Sequence, residues 1–533
     1  MMYLLLVCLF QTEQTLQTAL ADALKAGDLA VLRSAYDKIR PQGPQENDEH
    51  QFNRWGFQLL RQGKTDEALL VFQLNVAHFP KRADPLGWLA VAYLRVGNAA
   101  QAVNYHEKAF AISPQRFRWR SLGEALAALG DPDRELAYAQ AGVKRYDDLE
   151  THDVLLATKL KHGRVADPKA AFAAVDGRFP KTRLWRTLTQ LDTMGVSVPQ
   201  HQDGWRQSDY AAAGLNPQLF DRLMARNAQG GFDNLDGVVV VRGNAIIGEY
   251  YGEGFSRFRP HDTRSVGKSM VALLAGIAVD RKYIAVKDPV YDYFPTYREK
   301  SNWDTKKDHI AIKHLLSMSS GLDAYDDGRD SPGSENYYQE HQTQWLDHVL
   351  QVPMAFKPGA EVVYASANYL ILGELLAKAG KQPLDEFAAK SLFEPLEISN
   401  LSWFYAPNDH AYGAGGMRIT PRDMAKIGRL ILNKGSWQNQ TVVSAGWIAQ
   451  MTQPQIEGEL WGKNYGYGWY HHLLELKGRK LTVISAAGNG GQRIWIMPDL
   501  DAVAVVTMGN YNSRKSRQAD EILTKYIVPS LLD

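Results

Sequence analysis

A serine followed three residues later by a lysine, Ser265 and Lys268 in Thr263-Arg264-Ser265-Val266-Gly267-Lys268-Ser269-Met270, puts a hydroxyl and an amine where one helical turn can hold them together. A serine hydroxyl is a weak nucleophile near neutral pH unless a neighbouring base takes its proton. Lysine supplies that base only when neutral, and burial lowers an amine's pKa by penalising the charged form. The run Val271-Ala-Leu-Leu-Ala-Gly-Ile-Ala-Val279 directly after the pair reads as a buried helix, so such burial is expected at Lys268. Ser265 then opens the helix, where the partial positive charge of the N-terminus favours developing negative charge. Ser-x-x-Lys is short enough to arise at any helix start, so the surrounding elements must support it.

Before the pair, Gly237-Val-Val-Val-Val-Arg242 and Ala245-Ile-Ile-Gly-Glu-Tyr-Tyr251 are β-rich runs joined by Gly243-Asn244, which predicts a hairpin. After it come Lys313-His314-Leu315-Leu316-Ser317-Met318-Ser319-Ser320-Gly321-Leu322 and the stretch Phe356-Lys-Pro-Gly-Ala-Glu-Val-Val-Tyr364-Ala365-Ser366-Ala367-Asn368-Tyr369. Gly415-Gly-Met-Arg-Ile-Thr420-Pro421-Arg422-Asp423 follows, and then Ala486-Ala487-Gly488-Asn489-Gly490-Gly491-Gln492 ahead of a strand-like run. In this order, over roughly residues 205–533, these stretches resemble the β-lactamase-related serine hydrolases. That group contains class C β-lactamases, penicillin-binding proteins, D-stereospecific peptidases, esterases and nylon-oligomer hydrolases.

The resemblance implies an α+β domain, an antiparallel sheet flanked by helices with a helical subdomain roofing the groove. It implies Ser265 as the acyl-accepting nucleophile, Lys268 as its proton partner, and Tyr364 in the place of the family's Tyr-x-Asn tyrosine. Lys268 would favour the Tyr364 phenolate, letting it take the Ser265 proton and return it to the leaving group. The backbone N–H groups of Ser265 and Asn489 would form the oxyanion hole. Gly488 would let substrate approach the backbone, and Ser366, where many relatives carry Asn, would stand at the substrate. Ala486 replaces the cationic or imidazole member of the family's third triplet, which weakens binding of a penicillin carboxylate and lowers the weight of β-lactamase and carboxypeptidase readings.

The expected activity is therefore a metal- and cofactor-independent serine hydrolase forming an acyl-enzyme on a small-molecule ester or amide. A D-amino-acid peptidase or amidase is the alternative within the enzyme class, and a non-catalytic scaffold acting through its helical repeats is the alternative outside it. His314 is expected to be structural, Asp423 to belong to a helix cap begun by Thr420-Pro421, and Tyr467 or Trp469 to line either the acyl pocket or the core. His471 and His472 are adjacent on a strand and point to opposite faces, which argues against a shared metal.

The 533 residues are enough for several domain-sized units, with 45% hydrophobic residues to build cores. Sixty Lys and Arg against 59 Asp and Glu leave no electrostatic footprint for nucleic acid. A single cysteine, Cys8, excludes an internal disulfide and a Cys-based metal site. Residues 1–11 form an apolar start too short to span a bilayer, read either as a signal remnant or as a helix packed on the first domain. The compartment leans to the periplasm or cell envelope, with the cytoplasm as alternative.

Residues 12–193 carry a repeat. Gly63 and Gly97, Ala68 and Ala102, and Pro80 and Pro114 are each 34 apart (97 − 63, 102 − 68, 114 − 80), the tetratricopeptide period, with weaker units around Gly130 and Gly163. An all-α tetratricopeptide-like solenoid is expected, either as a groove for a protein or peptide partner or as a prop for the hydrolase. Residues 194–207 read as a linker and 208–533 as the hydrolase domain.

Overall fold

The computed structural model describes residues 16–532 except 46–47, 148, 179–184, 195–202, 208–215, 302, 327–330, 343, 408–409 and 457–458. The apolar start with Cys8 and most of the expected linker lie outside the described residues. The chain divides into two compact units, with the boundary between Val175 and Asp176.

The first unit is helical, from Leu16–Lys25 through Leu149–Lys161 and on into Pro168–Arg178. Glycines make its helix pairs close: a Cβ on Gly56 would lie 2.4 Å from the Phe72 ring, one on Gly123 2.4 Å from the Tyr138 hydroxyl, and one on Gly142 2.5 Å from Trp119. Gly63 and Gly97 adopt φ of 77° and 80° in the turns, a conformation that L side chains avoid. The same hydrogen bonds recur there, Lys64 N to Leu59 O and Asn98 N to Tyr93 O, both at 2.9 Å. The 34-residue sequence period thus reappears as a repeated turn.

The second unit is built on a nine-stranded sheet in the order β1-β3-β2-β14-β13-β12-β11-β10-β9. Its strands are β1 (Arg206–Gln207), β2 (Leu235–Arg242), β3 (Ala245–Tyr251), β9 (Glu459–Leu460), β10 (Lys463–Tyr465), β11 (Tyr470–Leu476), β12 (Arg479–Gly488), β13 (Gln492–Met497) and β14 (Ala502–Met508). Short pairs lie outside it: β4 (His261–Asp262), β5 (Ser402–Trp403) and β6 (Met417–Ile419) form one sheet, β7 (Ser436–Trp437) and β8 (Gln440–Thr441) another. Every pairing in the large sheet is antiparallel except β1 with β3. β2 and β3 form the expected hairpin, Arg242 opposite Ala245.

Side chains alternate across this sheet as a period of two requires. Val239, Val241, Ala486, Ile494, Val503 and Val505 face one core, which also takes the helices Val266–Asp280, Ser366–Gly380 and Pro421–Leu432. Val238, Val240, Val483, Trp495, Ala504 and Val506 face the other, against the helix Pro217–Ala228 and the C-terminal helices. Buried on both faces, β2, β13 and β14 read as nearly continuous apolar runs rather than alternating ones. Helix Pro421–Leu432 comes close to the sheet at Gly428, where a Cβ would stand 2.5 Å from Val503.

Asp203–Gln207, the end of the expected linker, is tied into this unit. Asp203 pairs with the buried Arg422 at 2.8 Å, the Trp205 indole donates to the Arg422 carbonyl at 3.2 Å, and Arg206–Gln207 is the edge strand β1.

Helix Val266–Asp280 is buried over nearly its whole length, and Gly276 lets it pass Trp447, whose indole donates to the Ala272 carbonyl. A Cβ on Gly276 would fall 2.2 Å from the Trp447 ring. Gly276→Ala is expected to cost about 1–3 kcal/mol of stability through overpacking. Gly446→Ala, in a helix with open space at that Cβ, is expected to gain about 0.5–1 kcal/mol instead. Urea denaturation of both variants checks the opposite signs.

Candidate active site

Ser265 caps the helix Val266–Asp280, and Lys268 lies one turn into it. The turn ahead of Ser265 is held in an unusual backbone state: Arg264 has φ 49°, a left-handed conformation costing about 1–2 kcal/mol for an L residue. Several contacts compensate. The Thr263 amide and hydroxyl both donate to the Met417 carbonyl at 2.9 and 2.8 Å, fixing the segment to β6. The Asp262 carboxylate accepts from the Arg264 amide at 2.9 Å and pairs with its guanidinium at 3.1 Å, which also lies 4.6 Å over the Tyr511 ring.

Lys268 is 2% exposed. It donates to Ser265 Oγ at 3.1 Å and to the Ala414 carbonyl at 2.6 Å, and lies 5.2 Å from the centroid of the Tyr364 ring. The structure thus brings Ser265, Lys268 and Tyr364 together from two distant stretches. The electrostatics differ from the expectation that burial leaves a neutral amine. Burial does pull the Lys268 pKa down, but the combined effect of Tyr364, Glu335 and Asp326 and a hydrogen bond with Tyr364 outweighs it, and the net shift is upward. Lys268 is an ammonium here, not a free base.

Sequence reasoning missed the two acids that act beside Tyr364. Asp326 accepts the amides of Glu335 and Ser366, both at 2.6 Å, and Glu335 accepts the hydroxyls of Tyr412 at 2.6 Å and Ser366 at 3.2 Å. Burial first and Glu335 second push the Asp326 carboxyl up to about 6. Neither acid stands at a diagnostic spacing from Ser265, so no sequence signal marks them.

The two residues expected at the substrate, Ser366 and Gly488, make the following contacts within the fold. Ser366 is fully buried, with its hydroxyl given to Glu335, so it faces the acid pair rather than an open groove. A Cβ on Gly488 would lie 2.5 Å from the Thr263 carbonyl and 3.2 Å from Arg264 Cβ, so this glycine is needed for close approach to the turn that carries Ser265. Asn489 follows directly, and its side chain clasps Asn512, donating to Asn512 Oδ1 at 2.7 Å and accepting the Asn512 amide at 2.9 Å. Ala486 is fully buried in the core. His314 accepts the Ala311 amide at 3.0 Å, Thr420 and Asp423 form a helix cap, and Tyr467 and Trp469 are buried in the core. No group of side chains that could hold a metal ion occurs among the described residues.

The Beta-lactamase family description matches residues 217–527, more than half of the chain. The 6-aminohexanoate-dimer hydrolase of Paenarthrobacter ureafaciens is 24% identical over 285 residues, 51% of this chain and 71% of that protein. A protein of Escherichia coli (strain K12), provisionally named a D-alanyl-D-alanine carboxypeptidase, is 25% identical over 241 residues, 40% of this chain and 55% of its own length. Among solved structures, an octameric penicillin-binding protein homologue from Pyrococcus abyssi superposes with a TM-score of 0.45 at 18% identity, over 59% of this chain and 77% of that one.

The raised Asp326 carboxyl predicts a pH dependence. A carboxyl whose pKa is higher in the fold than in the unfolded chain contributes stability while protonated and loses it as pH rises through the folded value. The stability of the parent relative to Asp326→Asn is therefore expected to fall as pH rises from about 4 to about 7. Urea denaturation across this range measures it, and a gap that widens with pH contradicts the assignment.

Proposed function

Because the chain belongs to the beta-lactamase family, we propose that its second unit is a serine hydrolase that forms an acyl-enzyme on an ester or small amide. The observation that carries this reading is the buried Lys268 ammonium, hydrogen-bonded to Ser265 Oγ and lying against Tyr364.

This mechanism takes Tyr364 as the base: Ser265 Oγ attacks the substrate carbonyl carbon as its proton passes to a phenolate at Tyr364. Lys268 holds Ser265 in position and faces the Tyr364 ring, where its charge would balance the phenolate. The tetrahedral oxyanion lies on the N–H groups of Ser265 and Asn489, with the positive end of the Val266–Asp280 helix behind it. The carbon–oxygen or carbon–nitrogen bond then breaks, and the leaving atom takes the proton from Tyr364. Water attacks the acyl-serine, gives a proton to Tyr364, and the acid departs as Ser265 recovers its proton.

Ala486 stands in the triplet where the family resemblance expects a cation or imidazole, and without that group uncharged acyl groups are favoured over penicillins. The Paenarthrobacter relative, named for hydrolysing a dimer of 6-aminohexanoate, keeps small amides within the substrate class. A cell-envelope location is part of this proposal, supported by the D-alanyl-D-alanine activity named for the Escherichia coli relative. Among the described residues no helix is long and apolar enough to cross a membrane. The helical unit is read as a tetratricopeptide-like array for a protein or peptide partner, supported by the recurring Gly63 and Gly97 turns.

A fluorophosphonate probe is expected to label the parent with a burst and to leave Ser265→Ala unlabelled. Tyr364→Phe is expected to lower kcat on a chromogenic ester by about 10²–10⁴-fold. Equal, negligible labelling of parent and Ser265→Ala would instead favour a scaffold role.

A further inference from the structure

The turn joining β9 to β10 consists of two residues, Trp461 and Gly462, between the paired Leu460 and Lys463. Both have positive φ, 55° and 74°, the pattern of a type I′ turn. Such a turn is served best by Asn, Asp or Gly at its first position, and a bulky residue there is held in a strained conformation. Trp461 is moreover 65% exposed, which ties it with Leu473 as the most exposed large apolar side chain among the described residues. Neither turn geometry nor core packing accounts for a tryptophan at this place.

Its neighbours do. The Trp461 ring lies 4.9 Å from the Tyr364 ring and 5.9 Å from the Tyr470 ring. Tyr470 is buried and packs on Tyr465 at 4.9 Å, so the indole rests on a fixed aromatic base. Tyr364 in turn lies against Lys268, which reaches Ser265. An indole anchored on one side, open to solvent on the other and adjacent to the reacting phenol is a plate onto which a flat apolar group can stack. Strain retained beside reacting groups is a mark of function rather than of folding.

We propose that Trp461 is a specificity-determining residue that stacks on a flat, apolar or aromatic leaving group of the substrate. This rests on the hydrolase reading above. There, Tyr364 returns the proton to the leaving oxygen, so a ring stacked beside Tyr364 lies on the leaving-group side of the scissile bond. The substrate class narrows accordingly to esters of aryl or similarly flat alcohols. Capturing such a group takes its apolar surface out of water on the exposed indole face, a gain that a small alkyl alcohol cannot match.

The test compares Trp461→Asn, a residue suited to the turn, with the parent on 2-naphthyl acetate and ethyl acetate. The expected result is about a tenfold fall in kcat/KM on the naphthyl ester, carried mainly by KM, with ethyl acetate unchanged within about twofold. Trp461→Phe is expected to keep most of the aryl preference, and Trp461→Asn to melt no lower than the parent. A fall of equal size on both esters, or none on the naphthyl ester, overturns the proposal. A second arm needs no turnover: calorimetric titration of 2-naphthol into Ser265→Ala and into Ser265→Ala/Trp461→Asn, with about tenfold weaker binding expected in the double variant. If the parent hydrolyses neither ester, the hydrolase reading fails while this arm still decides the aromatic plate. Equal 2-naphthol binding in the two variants overturns it.

Discussion

A single buried positive charge organises the second unit. Removing an ammonium from water costs several kcal/mol unless hydrogen bonds and opposite charge replace the lost hydration. Lys268 receives both: the Ala414 carbonyl and Ser265 hydroxyl accept its protons, and Tyr364 with the carboxyl groups of Glu335 and Asp326 offsets the cost of burying it. Those acids cannot be placed freely. They are fixed by the amides of Glu335 and Ser366 and by the hydroxyls of Ser366 and Tyr412, so the starts of the helices Ser366–Gly380 and Glu335–His341 are bound to one charge cluster.

The backbone around Ser265 follows from the same requirement. To hold the serine hydroxyl over a lysine that points into the core, the chain turns sharply at Arg264, and β6, Asp262 and Tyr511 absorb that strain. The end of β12 must then come up against the turn without a side chain between them, which is why Gly488 is a glycine. The Asn489–Asn512 clasp closes the other side of the β12–β13 connection. Chemistry and packing are therefore one constraint in this region: a side chain added at Gly488 would displace the same segment that aims the hydroxyl.

The helical unit obeys simpler rules. Its helices approach through Gly56, Gly123 and Gly142 and turn through glycines in left-handed conformation, requirements that are local and recur with the sequence. The second unit has little such periodicity, because its sheet order joins β2 directly to β14, across most of the domain's length.

Local rules accordingly fixed what could be read in advance. The Gly243-Asn244 hairpin, the buried helix after Ser265, the Thr420 cap, the structural His314 and the 34-residue turns each depend on residues a few positions apart, and their periodicity and capping chemistry are written in the chain. The pairing of Ser265 with Lys268 was legible for the same reason. Three things depended on long-range contacts instead. Tyr364, Glu335 and Asp326 together reverse the effect of burial on Lys268, because electrostatic influence follows distance in space rather than position in sequence. Ser366 turns inward to Glu335 and Gly488 packs on Thr263, because the fold brings them partners that no spacing announces. The sequence by itself determined which groups could do chemistry and which helix would carry them; tertiary structure alone decided their charge state and neighbours, since both are set by side chains that meet only once the sheet has closed.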